Sequence, residues 1–278
     1  DDLSALMKDN DYLWIWWMGH GSVDSSCPDI KFMIENQNQY VYDHEFATYV
    51  DQITDYKWRS FSIMTCNSGG IIDDVRNSKS VILTAVACGY PAHSHNYDVW
   101  HAEFTYNLFC ALSWETPSGD SVNADYNDNG LVSMYESWDY IDLNQICDDP
   151  QYSDQGNNGA NMYIFCAGHL VRNTNLLDDI DFTGDIIVDN GIKLNINPGV
   201  MIRFKSNKRL TVNGILDAQG TADNNIVFTS SSATPSPGDW YGIRFEDSSD
   251  DNECIIKYCE IEYAKNGIFC YYSSPRIE

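Results

Sequence analysis

Basic residues are scarce in this chain. Lys and Arg together number 16 against 41 Asp and Glu in 278 residues, a formal net charge of −25. Such a surface repels phosphate backbones, so nucleic acid is excluded as an expected partner. No apolar run approaches the roughly 20 residues of a membrane helix, and no membrane span is expected. None of the 9 cysteines forms a CxxC pair, which argues against structural zinc. Their number is odd, so at least one thiol stays unpaired; Cys88, Cys110 and Cys166 lie in apolar contexts and read as core thiols.

Apolar material, by contrast, is ample. A hydrophobic fraction of 43%, with 18 Tyr, 8 Trp and 11 Phe, supplies folded cores and argues against disorder. The length has room for two ordinary domains.

Two stretches share one shape. Phe61–Gly70, FSIMTCNSGG, reads as a buried strand that pushes Cys66 out at a tight glycine turn. Tyr12–Ser22, YLWIWWMGHGS, reads as an apolar strand ending in Gly19-His20-Gly21, too apolar throughout to be an edge with one wet face. Between them, Ile30–Tyr42 suggests a hairpin. Asp43 reads as the N-cap of a helix whose stripe is Phe46, Tyr49, Val50 and Ile53. A strand–helix–strand crossover of this kind brings both strand ends to one sheet edge, and His20 then faces Cys66. A thiol with a base beside it is a nucleophile, so His20 reads as the base. Gly21 and the Cys66 N–H read as donors to a developing oxyanion.

Val81–Ala87 reads as the next buried strand, a helix is expected over Trp100–Leu112, and Met162–Ala167 is expected as the last strand. Residues 125–136, DYNDNGLVSMYE, match the twelve-residue calcium loop: Asp125, Asn127 and Asn129 at the first three side-chain positions, Gly130 at the sharp turn, the Leu131 carbonyl, and Glu136 last. A structural Ca²⁺ is therefore expected, with no organic cofactor; the bland alternative is a turn before a helix capped by Ser133. His93, His95 and His101 read as loop residues on the substrate side and not as metal ligands.

From Asp181 helical periodicity vanishes. Short β-rich segments recur at Ile186–Val188, Ile192–Ile196, Val200–Phe204, Leu210–Val212, Ile226–Thr229, Ile243–Glu246, Ile255–Tyr258 and Gly267–Tyr272, separated by turns such as Asn213-Gly214. Cys254, Cys259 and Cys270 are expected either to stack inside the coil or to stand as isolated thiols.

Two family resemblances rest on these residues. The tail, from GIKLNINPGVMIRF to IIKYCEIEYAKNGIFCYYSSPRIE, resembles the coils of right-handed parallel β-helix domains in secreted bacterial proteins. The pair of strands ending in His-Gly and Cys-x-Ser-Gly resembles the cysteine peptidases of the caspase–legumain–gingipain clan. GIIDDVRNSKSVILTAVACGYPAHSH is similar to the segment that follows the cysteine in legumain-like members.

The resemblance implies an α/β domain of the caspase–hemoglobinase type over residues 1–170, with a mostly parallel sheet and helices on both faces. A linker at 171–180 and an all-β parallel β-helix over 181–278 would follow. It implies Cys66 as nucleophile, His20 as general base and Gly21 as oxyanion donor. It also puts Cys88, Gly89, His93 and His95 in a loop beside the substrate pocket. Family members carry a first strand before the His-Gly strand, which the roughly ten preceding residues do not supply. The chain also stops in mid-coil, and a longer protein is expected because solenoids need caps. The implied protein is a secreted or surface-displayed bacterial endopeptidase acting on peptides or proteins, with a cell-surface or glycan ligand for its β-helix. The alternatives are a non-catalytic adhesion scaffold with a degenerate peptidase domain and a polysaccharide-active β-helix. The latter is disfavoured because Asp247, Asp250, Asp251 and Glu253 fall in a turn-rich segment.

Overall fold

The computed structural model describes residues 3–7, 11–34, 39–96, 100–164 and 167–278. They gather into two compact units, Asp1–Tyr126 with Val132–Ile164, and Asn127–Leu131 with Phe165–Glu278.

The first unit runs α1 (Leu3–Leu6), β1 (Tyr12–Met18), β2 (Gly21–Val23), β3 (Ile30–Ile34), β4 (Gln39–Tyr42), α2 (Asp43–Val50), β5 (Trp58–Met64), a 3-10 turn at Ser68–Ile71, α3 (Ile72–Val75) and β6 (Ser80–Thr84). It continues with β7 (Ser94–Asn96), β8 (Trp100–Ala102), α4 (Glu103–Ser113), α5 (Met134–Asn144) and β9 (Gln151–Asp154). Its main sheet has the order β1-β5-β6-β9. The first three strands are parallel, and β9 runs antiparallel to β6.

Alternation along the strands divides the core into two. Phe61, Ile63 and Ile82 pack with Ile30, Phe32, Ala47, Val50, Ile71 and Val75 on one face. Met64, Val81 and Leu83 pack with Phe104, Leu108, Ala111, Met134 and Ile141 on the other. Side chains of successive strand residues point to opposite faces, so α2 and α3 cover one side and α4 and α5 the other. At the end of the sheet remote from Cys66, the buried Arg59 donates to Ser80 Oγ (2.8 Å), Asp51 Oδ1 (2.7 Å) and the Val75 carbonyl (2.8 Å). A buried guanidinium so fully partnered ties the strand starts to the crossover helix.

Several expectations are corrected. Among the described residues β1 is an edge strand, with Trp16 and Met18 exposed; it stays apolar because Trp14 and Trp17 pack inward on its two sides. The N-cap of α2 is Tyr42, and Asp43 is buried inside the first turn, accepting the Ile30 N–H at 2.6 Å. The helix ends at Val50 and leaves Tyr49 70% exposed, so its buried stripe is Asp43, Ala47 and Val50. The last strand of the sheet is the polar β9, not Met162–Ala167. Of that stretch Tyr163 makes one bridge, to Ser133, while residues 165 and 166, Cys166 included, lie outside the described residues.

The second unit is a parallel β-helix. Its coils begin with β10 (Gly168–Leu170), β11 (Thr174–Leu176) and β12 (Ile180–Phe182), then β13 (Ile186–Val188), β14 (Lys193–Ile196) and β15 (Met201–Phe204). They continue through β16 (Arg209–Val212), β17 (Ile215–Gln219), β18 (Ile226–Ser230), β19 (Gly242–Phe245), β20 (Ile255–Lys257), β21 (Cys259–Ile261), β22 (Ile268–Cys270) and β23 (Arg276–Ile277). Each strand pairs in parallel with the strand one coil on, giving sheets β10-β13-β16-β19-β22, β11-β14-β17-β20-β23 and β12-β15-β18-β21. Matched register stacks like on like, as in Ile186↔Leu210 and Val188↔Val212. Phe204 stacks on the buried Trp240 with centroids 4.3 Å apart. The stretch expected as a linker, 171–180, already carries β11 and enters β12.

Candidate functional site

The site grows from the register of β1 and β5. Met18 pairs with Met64, and the Gly19 N–H donates to the Met64 carbonyl at 3.0 Å. Both strands end there, so His20 and Cys66 each follow two residues beyond the last paired position of neighbouring parallel strands. The approach there is close: a β-carbon on Gly21 would fall 2.4 Å from the Cys66 carbonyl oxygen and 2.7 Å from Thr65 Oγ1. Only glycine fits against that backbone. The Met33 N–H donates to the His20 carbonyl at 2.9 Å, while Gly21 faces Phe32 across the β2–β3 ladder. This pattern makes Gly21 and Phe32 a non-hydrogen-bonded pair, so the Gly21 N–H is turned away from β3. The His20 side is exposed, and Cys66 is half-buried and free of any disulfide.

Cys66 leaves its strand through a tight turn. The Ser68 N–H returns to the Thr65 carbonyl at 3.3 Å, and Asn67 takes φ 63°. Asn tolerates that conformation better than most residues and is favoured at the third position of such turns. The loop after β6 then folds over it. Asn67 donates its N–H to the Tyr90 carbonyl (2.8 Å), the Gly89 N–H donates to Asn67 Oδ1 (3.1 Å), and the Ala92 N–H donates to Cys66 Sγ (3.4 Å). A backbone donor therefore faces the sulfur itself. This loop is anchored covalently: Cys88 is disulfide-bonded to Cys27. The expectation of a core thiol at Cys88 is thus wrong, whereas Cys110 is buried and not disulfide-bonded.

The pocket-side histidines have partners brought by a distant segment. The His93 N–H and Nδ1 both reach Asp148 Oδ1, at 2.8 and 2.9 Å. Burial pushes the Asp148 carboxyl up, against the two hydrogen bonds from His93, which pull it down. His95 Nε2 lies 3.3 Å from Sγ of the exposed Cys147 and 4.0 Å from Oε1 of the wholly buried Glu103. Glu103 accepts the N–H groups of Ile146, Cys147 and Asp148. His101 pairs with His95 across the β7–β8 ladder, and its ring packs on Tyr106. Among the described residues no three His, Cys, Asp or Glu side chains gather as a metal site. The sequence reading missed Cys27, Ala92, Glu103, Cys147 and Asp148. A carboxylate in the first turn of the helix expected over Trp100–Leu112, as at Glu103, was the one local signal for any of them.

In the calcium-loop segment Asp125 and Glu136 are both buried. Glu136 Oε1 accepts the Tyr126 N–H at 3.1 Å and its Oε2 accepts the Ser133 N–H at 2.9 Å, completing the capping box of α5. Asn127 Oδ1 accepts the Asn129 N–H at 2.9 Å, and Asn129 Oδ1 accepts the Leu131 N–H at 2.8 Å. Gly130 turns the chain at φ +84°, where a β-carbon would strike the Asn173 carbonyl and Thr174. These hydrogen bonds fit the capped turn before α5, and the calcium expectation rests on the order of the residue types in the sequence.

In the β-helix the three cysteines stand apart. Cys254 is buried and takes the Leu216 N–H, Cys259 Sγ lies against the Ala218 carbonyl, and Cys270 is exposed.

Residues 170–253 match the family model described as a pectate-lyase like beta helix domain. No curated protein matches the chain.

Proposed function

We propose that the first unit is a cysteine endopeptidase of the legumain-like kind, joined to a β-helix that binds or displays it at a bacterial cell surface. The observation that carries this reading is that the parallel neighbours β1 and β5 end together at Met18 and Met64, two residues before His20 and Cys66, with Gly21 packed against the Cys66 backbone. In this mechanism His20 takes the Cys66 thiol proton and the sulfur attacks the scissile carbonyl carbon. The N–H groups of Gly21 and Cys66 hold the resulting oxyanion. Protonated His20 then gives its proton to the leaving amine, and a thioester remains on Cys66. Water, deprotonated by His20, attacks the thioester and releases the acid.

The Cys27–Cys88 disulfide supports export, since such bonds persist in oxidising compartments. Gly89, His93 and His95 belong to the loop whose Ala92 N–H reaches Cys66 Sγ, and we assign them a substrate-facing role. Buried Asp125 and Glu136, with Asn127, Asn129 and the Leu131 carbonyl, support a structural Ca²⁺. A glycan or other surface ligand is the proposed partner of the β-helix.

Hydrolysis of fluorogenic peptides carrying Arg, Lys, Asn or Asp before the scissile bond tests the reading. Turnover of at least one series that disappears in both Cys66→Ala and His20→Ala supports it. Turnover that survives Cys66→Ala overturns it.

A further inference from the structure

A second thiol–imidazole pair lies outside the dyad, and neither the dyad nor the calcium loop uses it. Cys147 is exposed and not disulfide-bonded, and its sulfur lies 3.3 Å from His95 Nε2. Both partners are held. His95 sits in β7, in register with β8. The chain at 146–148 is clamped by three backbone N–H groups donated to the Glu103 carboxylate. That carboxylate is wholly buried and lies 4.0 Å from the same His95 nitrogen. Beside it, Asp148 is bound by His93. The Glu103 carboxylate thus holds the backbone that carries Cys147 and lies near the ring that faces its sulfur.

We infer that Cys147, with His95 as its base and Glu103 anchoring the backbone that carries it, is a thiol–disulfide exchange site for low-molecular-weight disulfides. The Cys147 proton passes to His95 Nε2 and the sulfur attacks one sulfur of the small disulfide. A protein–ligand S–S bond forms as the ligand's own S–S bond breaks, and the departing thiolate takes the proton from His95. The product is a mixed disulfide and one free small thiol, with no other oxidant. The chemistry of this site uses neither Cys66 nor His20, although His95 stands in the loop proposed above to face the substrate. It is also distinct from the structural Cys27–Cys88 bond.

The chain contains its own comparison thiol. Cys270 is likewise exposed and free, but partial burial and the nearby Asp251 hold its thiol up. The whole chain is treated at pH 7 with bis(2-hydroxyethyl) disulfide, a neutral probe that the acidic surface does not repel, and adducts are assigned by peptide mass mapping. Cys147 is expected to react about tenfold faster than Cys270, and His95→Gln and His95→Ala are each expected to slow Cys147 about tenfold without changing Cys270. Buried Cys110 must stay unmodified, which reports that the first unit is folded. Equal rates at Cys147 and Cys270 in the unmutated chain overturn the inference, a comparison that stands even where a variant unfolds. So does an unchanged Cys147 rate in folded His95→Gln.

Discussion

The carbonyl oxygen of Cys66 lies where a side chain on Gly21 would begin, 2.4 Å from an ideal β-carbon position. The segment after β1 is therefore in backbone contact with the turn that presents the thiol, and a methyl group at Gly21 must push the two apart. In the proposed mechanism this displaces an oxyanion donor. Gly21→Ala is expected to lower kcat/KM on a cleaved peptide about 100-fold or more, the usual loss for one oxyanion donor. Retained turnover in a folded Gly21→Ala chain would show that this N–H is not part of the chemistry.

The disulfide between Cys27 and Cys88 closes a separation of 61 residues and holds the loop whose Ala92 N–H reaches Cys66 Sγ. Crosslinks of this span contribute about 2–4 kcal/mol to stability. The double variant Cys27→Ser with Cys88→Ser should unfold at clearly lower denaturant. It should also cleave peptide more slowly than the parent, because the loop over Cys66 loses its anchor. An unchanged denaturation midpoint would contradict the first expectation and unchanged cleavage the second.

Asp74 has its carboxyl raised to about 6 by burial first, and then by Asp43 and Asp73. Its native value lies above its unfolded value, so the folded chain holds this proton more tightly. The stabilisation is present below the ordinary carboxylate range and is lost as pH rises towards about 6. Asp74→Asn is expected to raise the Tm at pH 7 by about 1–3 °C, a modest figure because the group is largely solvated, and to leave the Tm at pH 4 nearly unchanged. A gain that is equal at both pH values would mean that ionisation is not the cause.

Calcium should stabilise the chain by mass action. Adding millimolar Ca²⁺ is expected to raise the Tm of the parent by a few degrees, and of Ser133→Ala equally, since Ser133 caps α5 but is not among the proposed ligands. Glu136→Ala loses both its cap and its ligand role, so the informative quantity is the difference with and without the ion. A shift that survives Asp125→Ala combined with Glu136→Ala would remove the calcium proposal.

Much of the architecture was legible because buried parallel strands announce themselves. Tyr12–Met18 and Phe61–Met64 are apolar runs ending at glycine or a tight turn, and they pair in parallel although β2, β3, β4 and α2 lie between them and although β1 is a partly exposed edge. The β-helix was legible for a similar reason, with strands falling within a residue or two of most expected segments. β21 fell outside the expected segment Ile255–Tyr258: Tyr258, at φ 47°, ends one strand and a second begins at once at Cys259. β9 was missed because its sequence QYSD carries no apolar signal; it is held by pairing with β6, from Val81↔Asp154 to Thr84↔Gln151. The surroundings of the site were the least legible. Cysteine connectivity does not follow from sequence, so Cys27 and Cys88 gave no hint of their bond. His93 and His95 find Asp148 and Cys147 more than 50 residues away. The pattern around His93 and His95 could show that they were polar loop residues, but not which acid or thiol would meet them.

The account stands most directly on the pairing of His20 with Cys66. A peptidyl electrophile aimed at cysteine, applied at limiting concentration and mapped by site, measures it. The account predicts labelling at Cys66 that is blocked by a cleaved peptide, is absent in Cys66→Ala and is slowed at least about 100-fold in His20→Ala. Labelling of Cys66 at the same rate with and without His20, or probe capture that persists undiminished in Cys66→Ala, would contradict it.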